Sequence, residues 1–296
     1  VTSYDGPAYD GWEPTPSIST EVVAPAPVQA LAALLDDGHE VGVGEPLPPL
    51  WHWVALPRWA PSSVLGVDGH PRTGSFLPPV GLPRRMFAGG EVSWLRSPRV
   101  GEQVRTESRV TSVSDKTGRS GPLVLVVVES QVFGEDGGLC LTERQDILYR
   151  EAGDRTSDSP EPPGDLVPTG PPLRRTTAET AAGDGWDVAT DPTVLMRFSA
   201  ATANAHRIHY DWPYATGVEG YPGLVVHGPL MTLLLAETLA RAGALDGPVK
   251  LQHRNRAPLF CAQPARITHA AHPSGTTASL SGPDGALCTS LDAHPL

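Results

Sequence analysis

Apolar and polar positions follow two rhythms along the chain. VQALAALL (28–35) places apolar groups at helical spacing, and Gly38 follows as a stop. EVSWLRS (91–97), QVRTESRVTSVSD (103–115), PLVLVVVESQVFG (122–134) and LCLTERQDILYRE (139–151) are β-branched or alternating. Gly or Asp turns separate them, which predicts four strands. Within the third, LVLVVV reads as a strand buried on both faces. In the second half, DPTVLMRFSAAT (191–202) suggests a short strand. MTLLLAETLARAGA (231–244) is apolar on nearly every turn and predicts a core helix, closed by Gly243 and Gly247. Strand candidates at 249–260, 265–272 and 276–293 complete the chain.

Between these elements the composition shifts. Residues 1–20 are polar and punctuated by Pro and Gly, the pattern of a flexible, frayed N-terminus. Residues 42–85 are irregular and dense in Pro and Trp; Trp51, Trp53 and Trp59 argue against disorder there. Residues 152–172 hold many Pro, Asp and Ser, the composition of an extended linker. This divides the chain into an N-terminal unit (21–151) and a C-terminal unit (173–296). A weak repeat supports two similar α+β halves. SWLRSPRVGEQV (93–104) and QHRNRAPLFCAQPA (252–265) share the order strand, Arg, Pro, apolar residue, next strand.

Composition narrows the function classes. The 296 residues carry a net charge of −11 and no long basic run, which argues against broad nucleic-acid binding. The 40% apolar content supports a real core. The 31 glycines and 32 prolines, about a fifth of the chain, fall short of low-complexity disorder. No apolar stretch approaches the ~20 residues that span a bilayer, and the first residues lack a signal-peptide pattern. Cys140, Cys261 and Cys288 are odd in number and far apart, so neither a disulfide framework nor a zinc site is expected. A reducing, cytoplasmic setting fits that usage.

The densest chemistry lies in FSAATANAHRIHYD (198–211), where Asn204, His206 and His209 fall within six residues. This segment resembles the signature of MaoC-like, R-specific enoyl-thioester hydratases. Asn204 takes the place of that family's catalytic Asp, His206 of its Asn and His209 of its catalytic His. PGLVVHGPLM (222–231) is similar to the segment that opens the family's central helix. LGVDGHPRTGSFLPPVGLPRRMFAGG (65–90) and DILYRE (146–151) resemble the degenerate first halves of two-domain members such as mesaconyl-CoA hydratases and type 2 hydroxyacyl-thioester dehydratases. The resemblance implies a double hotdog, with two antiparallel sheets each wrapping a central helix. The helix is degenerate in the first half, which holds the acyl tail, so one active site per chain is expected. It implies interconversion of 2-enoyl and 3-hydroxyacyl thioesters on CoA or an acyl carrier protein, without metal or organic cofactor. The partner is thus a small-molecule acyl thioester, and the chain a monomer or homodimer. A biosynthetic elimination with cyclisation, another addition to an enoyl thioester, and a non-catalytic acyl-thioester binder are the alternatives.

The residues suit that chemistry. Adding water to an enoyl thioester builds negative charge on the thioester oxygen. A helix N-terminus at His227-Gly228-Pro229 offers free amides for it. Gly228 permits close approach, and Pro229 suits a first helical turn. His209 can accept and return a proton near neutral pH. Asn204 cannot, and is left to orient water or the hydroxyl. His206 is a possible second proton site, with adjacent Arg207 disfavouring its charged form. Before the resemblance, His227 reads first as a core histidine and only second as a site residue. Asp211 reads as a turn or cap, His253 as a strand residue at the sheet edge, and the tryptophans at 51–59 as core or loop anchors. Arg84 with Arg85, and Arg254 with Arg256, are either solvated or phosphate-binding pairs.

Overall fold

The computed structural model describes residues 5–296 apart from 8, 37, 39–40, 119–120, 153–160, 165 and 177–184. Among the described residues, one eleven-stranded sheet organises both halves, in the order β1-β3-β4-β5-β2-β8-β11-β10-β9-β7-β6. In the first half β1 (Ser17–Val22), β2 (Arg84–Trp94), β3 (Gln103–Gly118), β4 (Gly121–Phe133) and β5 (Leu139–Arg150) pair antiparallel. In the second, β6 (Leu173–Arg175), β7 (Trp186–Val188), β8 (Val249–Asn255), β9 (Ala265–His272), β10 (Gly275–Ser281) and β11 (Leu287–Pro295) do likewise.

The halves join where β2 pairs with β8, from Gly89 opposite Arg254 to Trp94 opposite Val249. Their likeness extends beyond the weak repeat. GEDGGLC (134–140) and GPDGALC (282–288) form matching hairpins, with Gly134 N–H donating to Gly138 O and Gly282 N–H to Ala286 O, each at 2.9 Å. Each ends in a Cys whose carbonyl accepts the N–H of an Arg after the central strand, Arg96 at 3.1 Å and Arg256 at 2.8 Å.

The helices break this symmetry. The second half has α3 (Pro192–Ala201) and the long α4 (Gly228–Arg241). Leu230, Leu233, Leu234, Leu235 and Leu239 of α4 are fully buried in the main core. The first half has α1 (Pro25–Leu35) and the one-turn α2 (His52–Ala55), and its described residues include no counterpart of α4. Residues 56–83 fill that place in the chain order as coil with a single 3-10 turn.

Several expectations are corrected. The segment 191–202 is helical, because Asp191 caps α3 by accepting the N–H groups of Thr193 and Val194, and Pro192 fits the first turn. Residues 17–20 belong to β1, and Trp12 is buried in a second core with Val110, Val113 and Val126; its Nε1–H donates to Ser75 O at 2.9 Å. LVLVVV is fully buried on one face only, at Val124, Val126 and Val128. His253 is not at an edge, since β8 lies between β2 and β11, and its side chain is buried. Asp36, rather than Gly38, takes the left-handed position that ends α1. Much of the expected linker, at 153–160 and 165, lies outside the described residues. No helix among the described residues is long and apolar enough to cross a membrane.

Candidate active site

The chain leaves α3 through Ala203, in left-handed backbone at φ 53°, and turns back on itself. Asn204 fixes that turn: its N–H donates to Ser199 O at 2.9 Å, and its Oδ1 accepts the N–H of His206 at 3.0 Å. One lone pair of the carboxamide oxygen is therefore committed to the backbone, and its NH₂ group makes no bond among the described residues. A 3-10 turn over Arg207–His209 then directs the next imidazole inward.

His209 Nδ1 lies 2.7 Å from Val225 O. A carbonyl only accepts, so Nδ1 carries the proton and Nε2 keeps its lone pair. The ring stacks on His227, with centroids 3.6 Å apart and planes 18° from parallel. His227 Nε2 is 2.8 Å from Ser199 Oγ, while its buried Nδ1 has no partner among the described residues. His206 packs edge-on against His209 at 5.5 Å. All three rings are nearly closed to solvent. Burial pushes His209 down to about 3, against the opposing pull of its bond to Val225. Burial, then the neighbouring imidazoles, hold His227 well below the ordinary histidine value. His206 is lowered too, by burial, by His70 and His209, and by Arg85. Arg207, expected to press on His206, instead pairs with Asp211 and donates to Val67 O at 2.9 Å. Asp211 also accepts the Tyr214 N–H, as a cap.

His227 caps α4, so the ring stack sits on the helix N-terminus. Pro229 has no N–H, and the amides of Gly228 and Leu230 have no intrahelical acceptor. A Cβ on Gly228 would lie 2.6 Å from Asn255 Nδ2, a second reason for glycine there. Asn255 is held by Phe87 O and by the Thr289 hydroxyl.

Two further side chains reach the stack from the first half. The turn Gly66–His70 docks on residues 205–207: Arg207 N–H donates to Asp68 O at 2.9 Å, and a Cβ on Gly69 (φ +90°) would come within 1.8 Å of Ala205 O. His70 stands 4.1 Å from His206, ring to ring, and its Nδ1 lies 2.9 Å from Asp68 Oδ2. Burial opposes charge on Asp68, but hydrogen bonds from His70 and the nearby Arg85 hold its carboxyl below the usual range. One donor atom each from Asp68, His70 and His206 lies within 4.8 Å of the others, a spacing an ion could bridge. Nothing near them in sequence marked Asp68 or His70; only the 65–90 resemblance ran through them.

The arginines separate. Arg84 is half-buried and paired with Glu219, with Tyr221 under its guanidinium, so it is not free for phosphate. Arg85, opposite Tyr149 in the sheet, faces the Asp68–His70–His206 group. Arg254 and Arg256 are exposed. Surface hollows of about 600 Å³ beside Arg96 and about 630 Å³ beside Trp12 do not touch the rings.

The family model for hydroxyacyl-thioester dehydratase type 2 matches residues 50–261, from α2 to beyond β8. The chain belongs to this family. Its sequence is 43% identical over 280 residues to a mesaconyl-C(4)-CoA hydratase from Chloroflexus aurantiacus, covering 93% of each chain. It is 22% identical over 245 residues to the mitochondrial hydroxyacyl-thioester dehydratase type 2 of Schizosaccharomyces pombe, covering 75% of this chain and 77% of that one. Among solved structures it resembles HtdX of Mycobacterium tuberculosis, at TM-score 0.63 and 20% identity over 95% of this chain and 99% of that one. It also resembles a Mycobacterium tuberculosis protein with a double hotdog fold, at TM-score 0.54 and 14% identity over 98% of each. The double hotdog expected from sequence is thus the fold, and among the described residues of this dehydratase-family member the long central helix is found in the second half.

Proposed function

We propose that this chain is a hydro-lyase interconverting a 2-enoyl thioester and a 3-hydroxyacyl thioester, with His209 as its acid/base. One observation carries the assignment. The Val225 carbonyl fixes the His209 tautomer, so an unprotonated Nε2 is held in a water-poor site at the N-terminus of α4. In the hydration direction, Nε2 takes a proton from water as its oxygen bonds to Cβ. The double-bond electrons move onto the thioester oxygen, where the Gly228 and Leu230 amides stabilise them. The proton then passes to Cα, restoring neutral His209. Asn204 orients water through its NH₂ group, and Ser199 holds His227 in the stack beneath His209. The thioester itself makes Cα acidic enough, so no metal or organic cofactor enters this reading.

The first half supplies the acyl wall. Phe87 and Trp53 meet edge to face at 5.9 Å, and Phe87 lies beside the position a Cβ on Gly228 would take. Exposed Arg254 and Arg256, without ion-pair partners among the described residues, are suited to the phosphates of CoA or phosphopantetheine. Three free thiols fit a cytoplasmic setting. The 43% relative makes branched dicarboxylic enoyl-CoA esters of the mesaconyl type the first substrates to test. The purified chain is mixed with enoyl- and hydroxyacyl-CoA esters and followed by mass for gain or loss of one water. His209→Gln should lower kcat by ~10²–10⁴-fold; a variant that keeps most of its turnover refutes the assignment.

A further inference from the structure

We propose that Asp68 and His70, carried by the N-terminal half, form the counter-ion dyad of the active site. They would supply the carboxylate that segment 204–209 does not itself provide. The inference rests on the hydration reading, in which His209 becomes an imidazolium each time it removes a proton from water. In a site this dry, that charge needs a counter-charge within reach. Asn204 carries none. Asp211 is taken by Arg207, and Glu219 by Arg84. Asp68 is the acid connected to the rings. It accepts the Nδ1–H of His70, which leaves the His70 Nε2 lone pair for a proton, and the sequence Asp68, His70, His206, His209 continues ring by ring.

The turn is built to hold that line. Gly66 N–H donates to His70 O at 2.7 Å, and the His70 N–H donates to Asp68 Oδ1 at 3.1 Å. One carboxylate oxygen thus fixes the backbone and the other fixes the ring. Arg207 clamps the turn through Asp68 O and Val67 O, and the bare Gly69 Cα lets it approach Ala205 O. The charged and titratable groups around the dyad are Arg85 from β2, Tyr149 from β5, His206, Arg207 and His209 from the docked segment, and Tyr214 beyond it. Asp68 and His70 act through His206 and His209, so they are positioning residues. No atom is exchanged with them: the proton taken from water ends on Cα, and the dyad stabilises the charge while it is held.

The test is steady-state kinetics across pH on wild type, Asp68→Asn, Asp68→Glu and His70→Asn, each checked for cooperative thermal unfolding. Asp68→Asn and His70→Asn should each lower kcat about a hundredfold with KM changed less than threefold. In Asp68→Asn the acid limb of the kcat profile should move to lower pH, because removing a negative charge disfavours imidazolium. Asp68→Glu should recover at least tenfold over Asn. If wild type adds water to a thioester while both Asn variants stay within threefold of it and the acid limb does not move, the dyad proposal is refuted and the hydration reading stands. Wild type inert towards every thioester refutes the hydration reading instead. Stoichiometric zinc or cobalt retained by wild type and lost in Asp68→Asn would also overturn the dyad, since those residues would then be ligands. Should Asp68→Asn fail to fold, Asp68→Ser decides: its kcat must fall about a hundredfold with KM changed less than threefold, and a kcat within threefold of wild type refutes the dyad.

Discussion

Lowering the pH from 7 to 5 should strip stability from this protein well before its carboxylates titrate. His209 is pushed down to about 3 and His253 to about 4, both chiefly by burial. In the unfolded chain each returns to a value near 6.5. Between pH 7 and 5 the unfolded chain therefore binds a proton at each site that the folded protein refuses. The folded pKa lies below the unfolded one for a base, so stability is intact above about 6.5 and is lost as pH falls towards the folded value. Linkage gives about 2 kcal/mol per group over this interval, or about 4 kcal/mol for the two. His206, His227 and His70 are lowered as well and add in the same direction. Glu143 does not offset this. His52 and the hydrogen bonds from His52, Gln145 and Trp53 overcome its burial and pull it down to about 2, so its contribution is constant until pH falls below about 4.5. Against a total of about 5–15 kcal/mol, the loss is a large fraction. Urea unfolding at pH 7, 6 and 5, followed by fluorescence of the seven tryptophans, measures it. His253→Leu is the control. Both of its ring nitrogens are buried without a hydrogen-bond partner among the described residues, so an apolar replacement should cost little at pH 7 and flatten the pH dependence by about 2 kcal/mol. Unfolding free energies at pH 5 and 7 that agree within about 1 kcal/mol would refute the reasoning.

Two predictions probe how the halves meet. Gly69→Ala would place a Cβ 1.8 Å from Ala205 O, so the turn must lift and carry Asp68 and His70 off His206. A displacement of that size should lower kcat/KM by ~10²-fold while the unfolding transition remains cooperative, as kinetics and calorimetry together can show. Trp51 is fully buried, and its Nε1–H donates to Glu237 Oε1 on α4 at 2.7 Å, tying the first half to the central helix of the second. Trp51→Phe removes that donor above a buried carboxylate and should cost about 1–3 kcal/mol in urea unfolding, with kcat at 25 °C unchanged.

The parts legible in the sequence are those set by local order. The alternation in 103–115 is largely the alternation of buried with less buried positions in β3, and the mostly apolar, wholly buried run of 230–239 lies in α4. His206, His209 and His227 were visible because one short segment and one helix start carry them. The error at α3 had a readable remedy, since Asp191 before Pro192 is a cap followed by a first-turn proline. Asp68 and His70 had no such signal. They lie in coil, where neither period applies, and what brings them to the site is a docking contact between Val67 and Arg207, 140 positions apart. Trp12 was hidden in the same way: a polar, Pro-punctuated stretch looks frayed until its one tryptophan finds a second core.

That docking sets the two halves apart, while their hairpins match. The GEDGGLC and GPDGALC turns close the sheet, and any change there disturbs strand register in either half equally. The segment entering the central strand is free of that constraint. Before β8 it is α4, which fills the core and offers its N-terminal amides. Before β2 the same place is held by coil, whose tip crosses to the other half and sets Asp68 and His70 against His206. A second full-length helix there would fill core volume but could not extend a tight glycine turn onto Ala205. One helix is thus replaced by one docking turn: His209 and the α4 amides come from the C-terminal half, and the half-buried Asp68 carboxylate from the N-terminal one.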